Sequence, residues 1–172
     1  DLVSVKDHPI ERITPTGLIT NGTQYDFDML IFATGFDAMT GTLLKIDIQG
    51  RAGITLAEKW SAGPVTYLGL AIDGFPNFFT VSGPGSPSVL SNMIVTIEQH
   101  INWIMDCLDA MRQRQTLTIE ATDAAASDWV KAGNAIAAGT LFPTCNSWYL
   151  GANVQGKPRI FMRYVGGFPS YV

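Results

Sequence analysis

The sequence predicts an α/β fold, and the pattern of apolar residues supports this prediction in three places. Asp26–Ala33 has a polar start and then a nearly continuous apolar run, which is typical of a buried central parallel strand. Phe75–Ser82 is a second short apolar run, bounded by proline and glycine. After Ser88, apolar residues recur at steps of three and four, which predicts a long amphipathic helix packed on a core.

The segment before the central strand predicts small antiparallel strands. We expect strands at Leu2–Val5 and Pro9–Ile13, and a hairpin element at Thr16–Thr23 in which Asn21-Gly22 forms the turn. Farther along, we expect a connection over residues 50–62, with Trp60 as a packing anchor.

The second half predicts two helices and a returning strand. The first helix is expected from Ser88 to about Arg112, with Ser86 or Ser88 as its cap and Pro87 in its first turn. The second is expected over residues 124–138, capped by Thr122 or Asp123 and packed on the first helix through Trp129. The apolar run over residues 160–165 predicts a last strand.

The turn Gly83–Ser88, between the second apolar run and the helix, is a candidate binding site. Gly83 and Gly85 permit close approach of a ligand, and the following helix N-terminus favours an anion or an electron-rich carbonyl group. The spacing Gly83-x-Gly85-x-x-Ser88 approximates the dinucleotide fingerprint, although its third glycine is replaced and no acidic residue ends a second strand at the expected distance. An ordinary strand-to-helix turn explains the same residues.

A loop over residues 143–159 mixes Trp, Tyr, two Asn, Lys and Arg with glycines. Aromatic rings, amides and glycines together are typical of loops that close over ligands. A surface loop whose tryptophan fills an apolar gap accounts equally well for this composition.

Composition narrows the classes of partner. The chain has 172 residues, 47% of them hydrophobic and 15% charged, which is enough for a sizeable core. Its net charge of -4 argues against a nucleic-acid or anionic-membrane surface, and no apolar run reaches the ~20 residues of a membrane span. Two cysteines, Cys107 and Cys145, favour a reducing, cytoplasmic location.

Side chains alone predict no reaction. No local spacing indicates a Ser-His-Asp triad, a Cys-His pair, paired carboxylates or a metal site, so we expect no metal. His8 and His100 each lack a second histidine nearby, which favours a packed or surface residue over a base. Any chemistry therefore requires a cofactor.

Three stretches, in this order, resemble one family. They are Ala33–Asp37, then Gly83–Ser88 with Leu90–Met93, and then Ser147–Pro158. Together they closely resemble the type I Baeyer-Villiger monooxygenases, and within these the subgroup that includes phenylacetone monooxygenase. The resemblance runs from Asp1 to about Phe168.

The resemblance implies an enzyme that depends on FAD and NADPH and inserts one oxygen atom of O2 next to a ketone carbonyl, giving an ester or lactone. It implies a flavoprotein with two dinucleotide-binding domains, of which this chain is the C-terminal part. Residues 1–40 would end the NADPH-binding domain, 41–74 would connect the domains, and 75–172 would return to the FAD-binding domain with a helical segment and a cofactor-covering loop.

The resemblance also assigns roles by position. Residues at the junction of the two domains would be Ala33, Thr34 and Gly35, and residues lining the flavin would be Gly83, Pro87 and Met93. The substrate pocket would be shaped by a bulge at Ser88, Val89 and Leu90, where the subgroup carries alanine at the Val89 position. A mobile loop over the nicotinamide cofactor would carry Trp148 and Tyr149, with the Trp148 indole N–H donating to the ribose.

The family's two glycine fingerprints, its histidine motif and its catalytic arginine are expected upstream of Asp1. The catalytic residues are therefore unknown within this chain, and we predict a fragment that is inactive or poorly folded without its upstream part. Two alternatives remain open. One is a related flavin-dependent N- or S-oxidising monooxygenase, which the Trp148 loop and the bulge argue against, and the other is a non-catalytic ligand-binding module of the same fold.

Overall fold

The computed structural model describes residues 2–172 and divides into two compact units. The first runs up to Gly35, and the second is Phe36–Val172. The domain boundaries expected after residues 40 and 74 remain predictions.

The first unit contains a three-stranded antiparallel sheet. Its strands are β1 (Ile10–Thr14), β2 (Gly17–Thr20) and β3 (Thr23–Asp26), in the order β1-β2-β3. Asn21 and Gly22 join β2 to β3 with φ angles of 49° and 70°, the left-handed conformation that a two-residue hairpin turn requires. The predicted hairpin is confirmed.

Two other strands predicted for this unit are wrong. Leu2–Val5 has no strand pairing, and after β3 ends at Asp26 the run through Ala33 pairs with no other strand in the part of the chain described. Its side chains at Met29 and Ile31 are 75% and 80% exposed. A parallel strand is held by hydrogen bonds to neighbouring strands, and residues 2–172 place none beside this run.

The second unit contains three α-helices, α1 (Leu56–Lys59), α2 (Met93–Arg114) and α3 (Asp123–Ala138). The predicted long helix is confirmed as α2, but it begins later than expected. A short 3₁₀ turn, Ser88–Leu90, comes first, and Asn92 then caps α2 by accepting a hydrogen bond from the Ile94 N–H at 3.1 Å. The predicted caps Ser86 and Ser88 are therefore wrong.

Helix α3 begins as predicted, because Thr122 Oγ1 accepts a hydrogen bond from the Ala125 N–H at 3.2 Å. Its tryptophan packs elsewhere than expected. The Trp129 ring stacks on Tyr164 with centroids 5.0 Å apart, and its indole N–H donates to the Gly85 carbonyl at 3.0 Å. Trp129 thus joins α3 to the glycine-rich turn.

The apolar core around α1 is formed by Leu56, Trp60, Ile72 and Phe75. Trp60 is only 3% exposed, so its predicted role as a packing anchor is confirmed. The strand predicted over residues 75–82 is wrong, because Asn77 and Ser82 have φ angles of 58° and 57°, which break an extended run.

The last predicted strand, over residues 160–165, forms no regular sheet pairing in the described chain. It is instead an extended segment tied by single backbone hydrogen bonds, one of which joins the Tyr164 N–H to the Ser86 carbonyl at 3.0 Å. Among residues 2–172, no helix combines the length and the apolar character that crossing a membrane requires.

Candidate functional site

The turn Gly83–Ser88, here called the glycine turn, is packed tightly against its own chain. A β-carbon added at Gly83 would lie 2.4 Å from Thr80 Oγ1 and 2.5 Å from the carbonyl oxygen of Gly69. Gly85 has a φ of +90°, which side-chain-bearing residues rarely adopt. Internal packing therefore requires a glycine at position 83, and backbone conformation favours one at 85.

Three carbonyl groups of the glycine turn are hydrogen-bonded inside the protein. Ser86 Oγ donates to the Gly83 carbonyl at 2.8 Å, and Thr66 Oγ1 donates to the Pro84 carbonyl at 2.6 Å. The third bond is the one that Trp129 donates to Gly85. Because these acceptors are satisfied, the chain itself fixes the shape of the turn.

The end of the turn is strained in a way that exposes apolar side chains. Ser88 is buried with a φ of 47°, an unfavourable conformation for a residue with a side chain that costs about 1–3 kcal/mol. The chain then turns outward, so that Val89, Leu90 and Met93 are 41%, 37% and 39% exposed. We call these three residues the apolar rim. Strain of this kind concentrates at ligand sites.

The N-terminus of α2 lies beside the apolar rim, but it is not the open anion site that the sequence suggested. Asn92 Oδ1 accepts hydrogen bonds from the N–H groups of Ile94 and Val95 at 3.1 and 3.4 Å. These two donors are therefore used by the helix's own cap.

The predicted covering loop contains a 3₁₀ turn, Trp148–Leu150, which we call the aromatic turn. Ser147 Oγ caps it by accepting a hydrogen bond from the Tyr149 N–H at 3.2 Å. The rings of Trp148 and Tyr149 lie 4.3 Å apart between centroids, and Trp148 is 37% exposed. Within residues 2–172 the Trp148 indole N–H has no acceptor, so this donor is available to a ligand.

Met162 joins the glycine turn to the aromatic turn. Its N–H donates to the Tyr149 carbonyl at 3.1 Å, and its carbonyl accepts from the Gly85 N–H at 3.2 Å. The structure therefore brings the predicted residues of both turns onto one short extended segment. Sequence reasoning missed Met162, and its position inside an apolar run gave no signal of this role.

Ion pairing holds the covering loop on the residues that open the second unit. Lys157 Nζ pairs with the Asp37 carboxylate, and the Lys157 side chain is only 12% exposed. Asn153 Nδ2 donates to the Phe36 carbonyl at 2.9 Å. The predicted junction residues Ala33, Thr34 and Gly35 are exposed, belong to the first unit, and remain predictions.

Arg163 lies under the aromatic turn and was not singled out from the sequence, although a charged residue inside an apolar run was a signal. It is 3% exposed, and its guanidinium carbon lies 4.8 Å from the Trp148 ring centroid and 5.3 Å from that of Tyr149. Burial lowers the pKa of Arg163 to about 10, so it remains a cation at neutral pH.

His100 is fully buried in a continuous chain of hydrogen bonds. The Ser82 N–H donates to His100 Nδ1 at 3.1 Å, and His100 Nε2 lies 2.9 Å from the Tyr171 hydroxyl. That hydroxyl donates to the Leu68 carbonyl at 2.6 Å. These bonds place the hydrogen on Nε2, and burial lowers the pKa of His100. His100 is the packed histidine that the sequence favoured.

Residues 2–172 bring together no three His, Cys, Asp or Glu side chains that would hold a metal ion. The arrangement instead offers an apolar rim, a rigid glycine turn and an aromatic turn with a free donor. Such a site suits a flat organic cofactor more than a reaction by side chains alone.

No protein-family profile matches this chain, whereas individual proteins match it over nearly all of its length. A Baeyer-Villiger monooxygenase of Pseudooceanicola batsensis is 40% identical over 171 residues, which are 99% of this chain and 31% of that protein. The acetone monooxygenase (methyl acetate-forming) of Gordonia sp. strain TY-5 is 42% identical over 98% of this chain and 32% of that protein. Phenazine N-monooxygenase of Lysobacter antibioticus is 39% identical over 99% of this chain and 31% of that protein.

Solved structures agree. An oxidised steroid monooxygenase bound to NADP has a TM-score of 0.86 and 50% identity, covering 99% of this chain and 32% of that one. Cyclohexanone monooxygenase from Rhodococcus sp. Phi1, bound to NADP+, has a TM-score of 0.91 and 38% identity, and the match covers 98% of this chain and 32% of that one. The predicted fold class, part of a flavoprotein with two dinucleotide-binding domains, is confirmed.

The chain spans about a third of the length of the relatives and structures it matches. Within that third, both the sequence identity and the fold agree almost from end to end. The chain therefore corresponds, in sequence and in fold, to about a third of the Baeyer-Villiger monooxygenases and the related N-monooxygenase that it matches.

Proposed function

We propose that this chain is the C-terminal part of an FAD- and NADPH-dependent monooxygenase that inserts one oxygen atom of O2 next to a ketone carbonyl to give an ester or lactone. The observation that carries the proposal is the match over 99% of the chain to a Baeyer-Villiger monooxygenase, together with the fold shared with an NADP-bound steroid monooxygenase. Because the chain is a third of its relatives' length, we propose that the activity needs the rest of the protein, as an upstream segment.

The glycine turn and the apolar rim fit a flavin. Val89, Leu90 and Met93 present uncovered apolar surface of the kind that covers a flat ring. Ser82 Oγ, one residue before Gly83, is buried without a hydrogen-bond partner among the described residues, as a group awaiting a ligand would be. When bound, FAD would supply the redox chemistry with O2. Gly83, Pro87 and Met93 would hold it, and the strain at Ser88 would fix the direction in which Val89 and Leu90 face the ketone.

The aromatic turn fits a nicotinamide cofactor. The free indole N–H of Trp148 would donate to a sugar hydroxyl, and the rings of Trp148 and Tyr149 would cover the cofactor and exclude water. Asp37, by pairing with Lys157, would keep the loop close to the chain that follows Ala33, Thr34 and Gly35. We place those three residues at the junction of the two cofactor domains.

The proposed domain division follows from these roles. Residues 1–40 end the NADPH-binding domain, residues 41–74 connect the two domains, and residues 75–172 complete the FAD-binding domain. We propose a cytoplasmic location, since Cys107 and Cys145 are both free thiols.

The test is to compare the chain alone with the chain joined to the missing two-thirds of the Gordonia relative. We expect the chain alone to be colourless and the joined protein to show a bound-flavin spectrum and ketone-dependent NADPH oxidation, with an ester found by mass spectrometry. The unaltered Gordonia enzyme is the matched control. A joined protein that folds but binds no flavin, or that makes no ester from any of a panel of ketones, contradicts the proposal.

Oxygenation of nitrogen is the second candidate, because the phenazine N-monooxygenase is nearly as similar as the ketone enzymes. An amine, a sulfide and a ketone offered to the same flavin-loaded protein separate the two. Product from the amine or the sulfide without product from the ketone would favour the second candidate.

Val89→Ala tests the role of the apolar rim in substrate choice. Val89 is 41% exposed, so its truncation leaves the melting temperature within about 2 °C, whereas it widens the rim by two methyl carbons. We expect kcat/KM for bulky aryl ketones relative to acetone to rise by about tenfold. Val95→Ala, on the exposed side of α2, is the matched control and leaves this ratio unchanged.

A further inference from the structure

We propose that Arg163 is a positioning residue that holds the aromatic turn closed through its contacts with the faces of Trp148 and Tyr149, and that it thereby sets the affinity for the nicotinamide cofactor. The second half of this inference rests on the proposed function. The first half concerns only residues of this chain.

Arg163 is a buried charge without a counter-ion among the described residues. Arg163 is 3% exposed, and no carboxylate of residues 2–172 lies within ion-pair distance of its guanidinium. Its Nε is buried without a partner, and its Nη1 contacts the thioether of Met39, a weak acceptor. A buried cation in this state is costly unless other groups stabilise it.

Two aromatic rings stabilise the Arg163 cation. The guanidinium carbon lies 4.8 and 5.3 Å from two ring centroids, within the ~6 Å range of cation–π attraction. Away from water such a contact is stronger than at a surface, and a planar guanidinium stacks on a ring better than an ammonium does. Opening the aromatic turn would remove both faces from Arg163, so the charge opposes opening.

The conformation of the aromatic turn affects the affinity for the cofactor. Met162, the residue before Arg163, already holds the Tyr149 carbonyl by a backbone hydrogen bond at 3.1 Å. That bond anchors the backbone, and Arg163 adds the orientation of the two rings. A turn that is closed more of the time binds its ligand more tightly, because less free energy is spent on ordering it.

The experiment uses the flavin-loaded protein that carries this chain with its upstream segment. Limited chymotrypsin cleavage after Trp148 or Tyr149, located by mass spectrometry, reports opening of the turn without any turnover. Arg163→Met keeps the length of the side chain and removes its charge. We expect about tenfold faster cleavage and about tenfold higher KM for NADPH, with kcat within about twofold.

Arg163→Lys retains a cation without the planar guanidinium, so we expect intermediate values of both the cleavage rate and KM. Arg112→Met is the matched control, because the Arg112 side chain on α2 is 74% exposed. We expect it to change neither the cleavage rate nor the KM for NADPH. The proposal is overturned if Arg163→Met is cleaved at the same rate as the wild type. It is also overturned if Arg163→Lys is cleaved as fast as Arg163→Met and has the same KM for NADPH.

Two variants of the partner ring keep the test decisive if Arg163→Met does not fold. Trp148→Leu removes the face and leaves Arg163 in place, so cleavage after Tyr149 accelerates. Trp148→Phe keeps a face but loses the indole N–H, so cleavage remains slow while KM for NADPH rises. Equal cleavage of these two variants contradicts the role of the ring face.

Different results would refute the proposed function and the role of Arg163. Wild-type protein that binds no flavin or oxidises no NADPH refutes the proposed function, whereas the order of cleavage rates among the variants still tests the contact between Arg163 and the aromatic turn. Active wild-type protein with unchanged KM in Arg163→Met refutes the role in cofactor affinity alone.

Discussion

In the chain joined to its upstream segment, Gly83→Ala is expected to lower the free energy of unfolding by about 3 kcal/mol and to abolish flavin binding by the protein that still folds. The added methyl carbon would lie 2.4 Å from Thr80 Oγ1 and 2.5 Å from the Gly69 carbonyl oxygen, and the second of these is backbone that has little freedom to move. The turn must therefore shift, and every hydrogen bond that holds its carbonyl groups shifts with it. Thermal melting and the visible flavin spectrum measure the two effects.

Gly133→Ala is the matched control for this prediction. Gly133 lies inside α3 with open space where a β-carbon would be added, so the same change raises helix propensity and stabilises the protein by about 0.5–1 kcal/mol. The two variants differ only in the surroundings of the glycine. Similar melting temperatures for both would contradict the tight packing of the glycine turn.

Local features of the sequence were the ones that could be predicted. The hairpin turn at Asn21-Gly22 and the cap at Thr122 depend on a few adjacent residues, and both are confirmed. The strand predicted from Asp26 to Ala33 was wrong because a strand depends on residues far away in the sequence. Its apolar character is suited to a central strand, but a strand forms only beside partners, and residues 2–172 provide none.

The start of α2 shows how one backbone angle limits prediction. A serine at position 86 or 88 is a favourable helix cap. The amino-acid sequence does not indicate that Ser88 adopts a φ of 47° and that the helix begins only at Met93. That angle falls at the last residue of the glycine turn, directly before the apolar rim, so the departure from the expected helix lies in the candidate site itself.

The residues of the candidate site were predicted by resemblance, whereas the contacts that join them were not. Trp148 and Tyr149 were identified from a motif, but their connection to the glycine turn passes through the backbone of Met162. A backbone hydrogen bond does not require a particular side chain, so this connection could not be predicted from the sequence. Arg163 was visible as a charge in an apolar run, and only the structure shows the two rings above it.

His100→Leu is expected to lower the free energy of unfolding by about 3 kcal/mol, because it leaves the Ser82 N–H and the Tyr171 hydroxyl short of partners in the interior. His100→Gln is the conservative variant, since its amide offers both an acceptor and a donor, and we expect it to lose about half as much. His8→Leu, at an exposed histidine, leaves the melting temperature unchanged.

The same network predicts a dependence on pH. Burial lowers the pKa of His100 in the folded protein below the value near 6.5 that the unfolded chain has. The unfolded state therefore binds the proton more readily, so this stabilisation is complete above pH 6.5 and is lost as pH falls from there toward the folded pKa. The loss is at most about 1.4 kcal/mol per pH unit for one proton.

Melting temperatures of wild type and His100→Gln between pH 5 and 8 isolate this contribution. We expect the wild type to lose more stability than the variant as the solution is acidified, since glutamine does not titrate. Parallel curves would refute the assignment of a neutral His100. Protonated His100 would set its Nδ1–H against the N–H of Ser82, the residue next to Gly83. In the protein joined to its upstream segment, we therefore expect acid to release flavin in the pH range in which the two curves separate.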